Sequence, residues 1–316
     1  MNIVSFTGDL PPLALIAGPT ASGKSALALA LAEQRPSIII NADAMQVYRD
    51  LRVVTARPSL RDESRHTHAL FGDVDGGTPW SAATWARTAQ AVIAAAHAEG
   101  RLPILVGGSG LYVRTLLEGI APVPDIDPAV RAAVRAMPVA DAHAVLMRED
   151  IAAAARLAPA DTTRVARALE VVRATGMPLA HWQRERCGGI ARSVRLAPLV
   201  LAPAREELFA RIDARFAIIL GEGLDEVTAL LARHLDPALP VMRAIGVREV
   251  AALLAGRCDQ AGALAAGRLA SRQYAKRQTT WFARQSPCDW ARYDGSINSP
   301  DAVTRAISLL EQALTR

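Results

Sequence analysis

Cysteine is scarce in this 316-residue sequence: Cys187, Cys258 and Cys288 stand far apart and form no C-x-x-C pair. That spacing argues against a zinc site and against a disulfide framework, and it points to the cytoplasm. No run of about 18 apolar residues occurs, so no membrane span is expected. The first residues, Met1-Asn2-Ile3-Val4-Ser5, carry no basic start of a secretory signal. Internal repeats and low-complexity linkers are missing as well. What remains is a globular composition, 51% hydrophobic and 21% charged. The chain is long enough for two domains around a packed core.

The most informative stretch is Gly18-Pro19-Thr20-Ala21-Ser22-Gly23-Lys24-Ser25. It matches the phosphate-cradling pattern G-x-x-x-x-G-K-[ST] at every fixed position. Leu13 to Ala17 before it is a short apolar run of the buried-strand type, and Ala26 to Glu33 after it favours helix. A strand, a glycine loop and a helix N-terminus in series make an anion site, with backbone N–H groups and the helix dipole aimed at a phosphate. Lys24 is placed to neutralise that phosphate, and the Ser25 hydroxyl to ligate Mg²⁺.

Ser37 to Ile40 reads as a second buried strand and runs into Asn41-Ala42-Asp43. A carboxylate at the carboxyl end of a strand in an open α/β sheet faces the ligand crevice, which suits Asp43 to chemistry or to Mg²⁺. A turn or helix cap would use the same residue equally well. His66 and His68, two apart, suit one face of a strand. Ser81 is a helix N-cap candidate for a segment running to His97, with Gly100 as its stop. Arg101 to Val106 is a third strand, and it ends in Gly107-Gly108-Ser109 where a nucleotide hydrolase carries a metal-binding aspartate. That departure disfavours an ordinary ATPase. From Ala129 to about Arg186 the pattern is helical, with Val165, Leu169 and Val172 three and four apart, and no strand is expected. A buried strand returns at 193–202 and helices fill the remainder, over 205–220, 224–234, 244–254, 261–284 and 301–314. The expected architecture is therefore α/β: a P-loop NTPase-like parallel sheet flanked by helices. Its core comprises 1–121 and 193–316, interrupted by an all-helical insertion over 122–192.

Acidic residues are absent between Asp259 and Asp289, while Arg268, Arg272, Lys276, Arg277 and Arg284 occur there with Tyr274, Trp281 and Phe282 interleaved. Arg268, Arg272 and Lys276 step by four and share a helix face. One-signed charge of this kind suits a polyanion, although basic groups lining a phosphate cleft would look the same. The insertion adds Arg131, Arg135, Arg164, Arg167 and Arg173. A phosphate site beside basic surfaces points to an enzyme that modifies nucleic acid. The rival readings are a P-loop small-molecule kinase and a P-loop nucleic-acid-binding module without chemistry.

Taken in order, these motifs resemble the bacterial tRNA dimethylallyltransferases, also called tRNA isopentenyltransferases. The matching pieces are the 18–25 loop, Asp43-Ala44-Met45-Gln46-Val47-Tyr48, Thr55-Ala56-Arg57-Pro58 and Pro103-Ile104-Leu105-Val106-Gly107-Gly108-Ser109-Gly110-Leu111-Tyr112. They continue with Arg164 to Val171, Arg243-Ala244-Ile245-Gly246, and Arg272 to Gln278 followed by Trp281-Phe282. The likeness spans about residues 13–285. It departs at Ala44, Ser109 and Val247, where that family usually has Ser, Thr and Tyr, and at Ser64-Arg65-His66-Thr67-His68, where it usually has two histidines after a proline.

The resemblance implies transfer of a dimethylallyl group from dimethylallyl diphosphate to the exocyclic amine of the adenosine on the 3′ side of a tRNA anticodon, with release of diphosphate. It implies that residues Gly18 to Ser25 cradle the diphosphate with Mg²⁺ on Ser25. Lys24 and Arg243 would stabilise the leaving group, Asp43 would act as general base, and Ser109 would hold the amine. The tRNA anticodon stem-loop would be contacted by Asp43, Ala44, Met45, Gln46, Ser109, Arg131, Thr163, Arg164, Val165, Ala166, Arg167, Arg243, Ala244, Ile245, Gly246, Val247 and Arg248. A cytoplasmic monomer is the expectation.

Overall fold

The computed structural model describes residues 10–315. They fall into two compact units, one formed by the chain up to Leu116 and again from Ile190, the other by Leu117–Gly189. The helical unit thus begins and ends a few residues earlier than the 122–192 read from the sequence.

The larger unit is built on a parallel sheet. Its strands are β1 (Pro12–Ala17), β2 (Ser37–Asn41), β3 (His68–Ala69), β4 (Leu102–Gly107), β5 (Arg195–Leu201) and β6 (Ala291–Tyr293), in the order β3-β2-β4-β1-β5-β6. β1 lies between β4 and β5, with Ala14 opposite Ile104 and Ile16 opposite Leu199. Every residue of β1 and of β4 is buried. This is why they read as continuous apolar runs, since a parallel sheet is covered on both faces.

Among the described residues, α1 (Lys24–Ala32), α2 (Arg52–Thr55), α3 (Leu60–Arg65) and α4 (Ala82–Ala98) come before the helical unit, and α5 (Gly110–Glu118) runs into its first residues. The helical unit holds α6 (Pro128–Arg135), α7 (Val139–Glu149), α8 (Ile151–Arg156), α9 (Thr162–Thr175) and α10 (Leu179–Trp182). After it come α11 (Arg205–Glu222), α12 (Leu224–Ala232), α13 (Val247–Leu254), α14 (Gln260–Gln285) and α15 (Pro300–Thr315). One sheet face, including Ala14, Ile16, Ile104 and Leu199, packs on Leu27 and Leu31 of α1 and Ala306 and Leu310 of α15. Ser81 caps α4 by accepting from the Thr84 amide, and Gly100 just beyond it has φ 67°.

Several elements differ from the sequence-based expectation, among them the short helices α2 and α3 and the helix α5, which it did not contain. β3 and β6 contain two and three residues, too short to leave a periodic signal. The helix expected from Ala244 starts at Val247, because Gly246 takes φ 107° and donates its amide to the Glu249 carboxylate at 2.8 Å. A 3-10 turn, Pro240–Arg243, precedes it.

In the helical unit, aspartate side chains cap the starts of α6, α8 and α9, while α7 and α10 begin after Pro138 and Pro178 without a side-chain cap. Asp127, Asp150 and Asp161 accept from the Ala129, Ala153 and Arg164 amides. Its core contains Val134, Leu146, Ala154, Val165 and Leu169. The segment's two ends are tied by an antiparallel bridge between Ile120 and Cys187, with amide-to-carbonyl distances of 3.0 and 3.1 Å.

Candidate active site

The loop from Gly18 to Ser25 joins β1 to α1 and lies at the carboxyl end of the sheet. Gly18 has φ 141°, and a Cβ there would stand 2.5 Å from the Leu201 carbonyl oxygen, so only glycine fits beside β5. Ala21 and Gly23 have φ of 61° and 97°, the left-handed turns that gather successive amides to one side. Gly23 is the N-cap of α1 and offers no side chain to it. The first amides of that helix are thus left for an external anion. Lys24 donates to the Pro19 carbonyl at 2.6 Å. Burial pushes its ammonium down to about 7, with Asp43 opposing and Arg215 adding to the shift. Ser25 is exposed at the rim.

Asp43 follows β2. The fully buried Asn41 fixes it, accepting from the Asp43 amide at 2.7 Å and donating to the Asp43 carbonyl at 2.9 Å. The Asp43 carboxylate accepts from the Met45 amide at 2.9 Å. The turn reading and the crevice reading of Asp43 therefore hold together: one oxygen closes the turn while the residue faces the cavity. Ser109, just after β4, accepts from the Ala44 amide at 2.9 Å and lies close enough to the Tyr274 phenol to oppose its upward shift. Burial raises the Tyr274 phenol, with Asp43 adding to the rise, so it stays protonated as a donor. Gly107 is obligatory here, since a Cβ would fall 2.1 Å from Ala42 backbone atoms.

The loop and Asp43 open on one cavity of about 590 Å³. Arg215 of α11 enters it and donates to the Thr20 hydroxyl at 3.0 Å. Burial lowers this guanidinium, and the nearby Asp43 charge partly restores it. Val54, Ile212, Phe216, Ile219 and Ile245 supply an apolar wall. Arg243 and Arg277 complete the lining, the latter 5.6 Å over the Tyr274 ring. A cavity with a cationic phosphate end, one carboxylate and an apolar wall suits a phosphorylated molecule with a small hydrocarbon portion.

A protein-family model for IPP transferase matches residues 46–285 of this chain. The chain belongs to the IPP transferase family. Its relatives in that family include the tRNA dimethylallyltransferase of Sphingopyxis alaskensis, 60% identical over 306 residues that cover 96% of this chain and 100% of that one. The tRNA dimethylallyltransferase of Zymomonas mobilis is 51% identical, covering 95% and 96%. Among solved structures, the full-length tRNA isopentenylpyrophosphate transferase of Bacillus halodurans aligns over 96% of this chain and 97% of its own, with TM-score 0.68 and 30% identity. A eukaryotic dimethylallyltransferase acting on tRNA shares the fold, with TM-score 0.82 over 96% and 80% at 24% identity.

Within this IPP transferase, Thr20 to Ser25, Asp43 to Gln46 and Arg243 to Ile245 line the one cavity. Gly18 and Pro19 are buried beneath it, and Ser109 meets it through Ala44 and Tyr274. Gly246 and Val247 are buried, while Arg248 is exposed. The helical unit carries Arg131, Thr163 and Arg164 exposed, with Ala166 and Arg167 half-buried. Val165 lies in that unit's core, which leaves its side chain no free surface for a ligand. Glu170, 2% exposed, pairs with Arg135 at 2.9 Å and Arg167 at 3.7 Å.

Sequence reasoning assigned no site role to Arg215 or to Gln278, although Gln278 closes the matching stretch from Arg272. Both carried a signal: each is polar at a position that helical spacing assigns to the core. Arg215 falls between Ile212, Phe216 and Ile219, and Gln278 between Ala275 and Phe282, all buried. The basic face on α14 also needs correction. Arg272 is bound by its guanidinium to Asp213, with Nε to Oδ1 at 2.9 Å, and Arg268 reaches the Asp213 carbonyl. These two arginines fasten α14 to α11. Lys276 is exposed. Arg272→Ala is expected to lower thermal stability slightly and leave the salt dependence of RNA binding unchanged, whereas Lys276→Ala reduces that slope. Binding titrations across a salt series, beside melting curves, check both halves.

Proposed function

We propose that this chain transfers the dimethylallyl group of dimethylallyl diphosphate to the exocyclic amine of the adenosine 3′ to a tRNA anticodon. The observation that carries the proposal is the pairing, in one cavity, of a P-loop with an apolar wall and Asp43. An ATP site has no use for Val54, Ile212, Phe216 and Ile219 beside its phosphates, but an allylic diphosphate does. The loop amides, Lys24 and Arg215 hold the diphosphate and offset the charge that grows on the departing oxygen. Preorganised stabilisation of that kind is usually the largest catalytic contribution. Arg243 adds a second guanidinium with a fork suited to phosphate.

The amine attacks the carbon that carries the diphosphate. The C–N bond forms, the C–O bond breaks, and Asp43 accepts the proton the amine releases. Tyr274, which lines the cavity, is the group we assign to the amine and the base edge. Ser109, outside the lining, steadies the Ala44 amide behind it and does not reach the amine as the family resemblance implied. An adenine in a stacked loop must leave the stack to reach such a cavity. Arg131, Thr163, Arg164 and Arg167 on the helical unit supply contacts to the loop backbone.

The donor set suits Mg²⁺. No trio of His, Cys, Asp or Glu able to cage a metal occurs among the described residues. The exposed Ser25 hydroxyl is the hard oxygen donor that would hold the ion beside the diphosphate. Mg²⁺ there would supply positive charge to the leaving group.

The deciding experiment incubates protein and Mg²⁺ with unmodified tRNA and either dimethylallyl diphosphate or ATP. Prenylated adenosine without ATP turnover is expected. Phosphorylated product or ATP hydrolysis, with tRNA mass unchanged, would establish the kinase reading instead.

Lys24 gives a second check. With its ammonium lowered to about 7, it is largely neutral in the free protein at pH 8. A bound diphosphate returns it toward its ordinary value, so binding at pH 8 takes up about one proton. At pH 6 Lys24 is already charged and contributes no uptake. Calorimetry in buffers of different ionisation enthalpy measures this. Identical heats at pH 8 would refute it.

A further inference from the structure

Gln278 of α14 is 4% exposed and bridges two segments that are far apart in sequence. Its Oε1 accepts from the Thr20 amide at 2.8 Å, and its Nε2 donates to the Gly108 carbonyl at 3.0 Å. Thr20 belongs to the phosphate loop after β1, and Gly108 to the turn after β4. A Cβ on Gly108 would stand 2.1 Å from the Gln278 nitrogen, so that position is glycine because the amide passes there. Its helix neighbours on the same face, Ala275 and Phe282, are apolar and buried. A primary amide in such surroundings carries a desolvation cost that only bonding at both ends offsets. Docking α14 onto the core by itself calls for an apolar residue here.

Each partner of Gln278 leads directly to a reacting group. The Thr20 hydroxyl holds Arg215 at 3.0 Å. Gly108 precedes Ser109, whose hydroxyl holds the Ala44 amide next to Asp43 at 2.9 Å. The side chain therefore spans the gap between the leaving-group cradle and the turn beside the base, and it does not itself line the cavity.

We propose that Gln278 is a positioning residue that sets the separation of these two half-sites, and with it the line from the departing oxygen to the attacking amine. This rests on the prenyl-transfer reading above. Each half-site grips its own ligand with its own groups, so loss of the bridge leaves both affinities in place. The displacement needs both ligands in register, and an error of about 1 Å costs on the order of 100-fold in rate.

The test uses full-length Gln278→Met, similar in length but without the two hydrogen bonds, and Gln278→Glu. For Gln278→Met, kcat for tRNA prenylation is expected to fall about 10- to 100-fold. The KM for dimethylallyl diphosphate and the Kd for tRNA should stay within about three-fold of the parent. An unchanged kcat, or a loss confined to a raised diphosphate KM, overturns the proposal. The Glu variant decides the matter if the Met variant folds poorly. Its carboxyl keeps the acceptor for Thr20 and can donate to Gly108 only when protonated. Its rate relative to the parent should therefore climb several-fold from pH 8 to pH 6, and a flat ratio counts against the bridge. A parent protein that forms no prenylated tRNA refutes the proposed function. A parent that does, beside a Gln278→Met variant of equal kcat, refutes the positioning role alone.

Discussion

Asp43→Asn is expected to lower single-turnover prenylation at least about 100-fold while tRNA binding stays at the parent level. The asparagine variant is the informative one, because the Asp43 carboxylate has a second duty in accepting from the Met45 amide at 2.9 Å. Asn retains an acceptor for that bond and so keeps the turn, but it cannot take a proton. Asp43→Ala removes both roles and should be at least as slow. General-base assistance is worth about 10²–10⁴-fold, so residual turnover by the loop and its cations should remain measurable. Quench-flow rates with saturating substrates, beside filter-binding affinities, give the comparison. Parent-like rates in the Asn variant would remove Asp43 from proton transfer and leave it as a turn residue.

The second large effect belongs to Arg215. Arg215→Leu should reduce kcat/KM for dimethylallyl diphosphate about 10²–10³-fold, the range seen when one preorganised charge stabiliser is lost. Affinity for tRNA should hold, since the guanidinium bonds Thr20 of the phosphate loop and lines the cavity. Arg215→Lys should recover only part of the activity. An ammonium keeps the charge but lacks the planar fork that can meet Thr20 and a phosphate together. Initial rates across a diphosphate series distinguish this from a folding defect, which would scale the maximal rate without shifting KM. Equal kcat/KM in parent and Leu variants would assign Arg215 to packing.

How much of this site could be read in advance depended on how local its residues are. The loop from Gly18 to Ser25, Asp43 after β2 and the glycine turn after β4 each sit at the end of a buried apolar strand, so spacing alone placed them. Arg215 and Gln278 come from helices 195 and 258 residues beyond Thr20, and what marks their part in the site is a polar side chain at a core position. For Arg272 the same separation in sequence works in reverse. Its acidic partner, Asp213, lies 59 residues earlier, so the basic stretch looked uncompensated when read along the chain. β6 left no trace because a three-residue edge strand carries no periodicity. Of the strand face suggested by His66 and His68 only His68 lies in β3, His66 being the C-cap of α3. The pairing of both strands is imposed by β2 and β5.

The bridge between Ile120 and Cys187 has an evolutionary reading. A segment that leaves and returns at a single point can be lengthened, shortened or exchanged without altering the path of the sheet, because its ends stay paired whatever lies between. On the RNA contacts proposed for the helical unit, selection for different partners would act on 121–186 as a cassette, separately from the strands and loops of the larger unit. Chimaeras of this family joined inside that bridge should keep the catalytic unit folded and carry over the partner preference of the donor cassette.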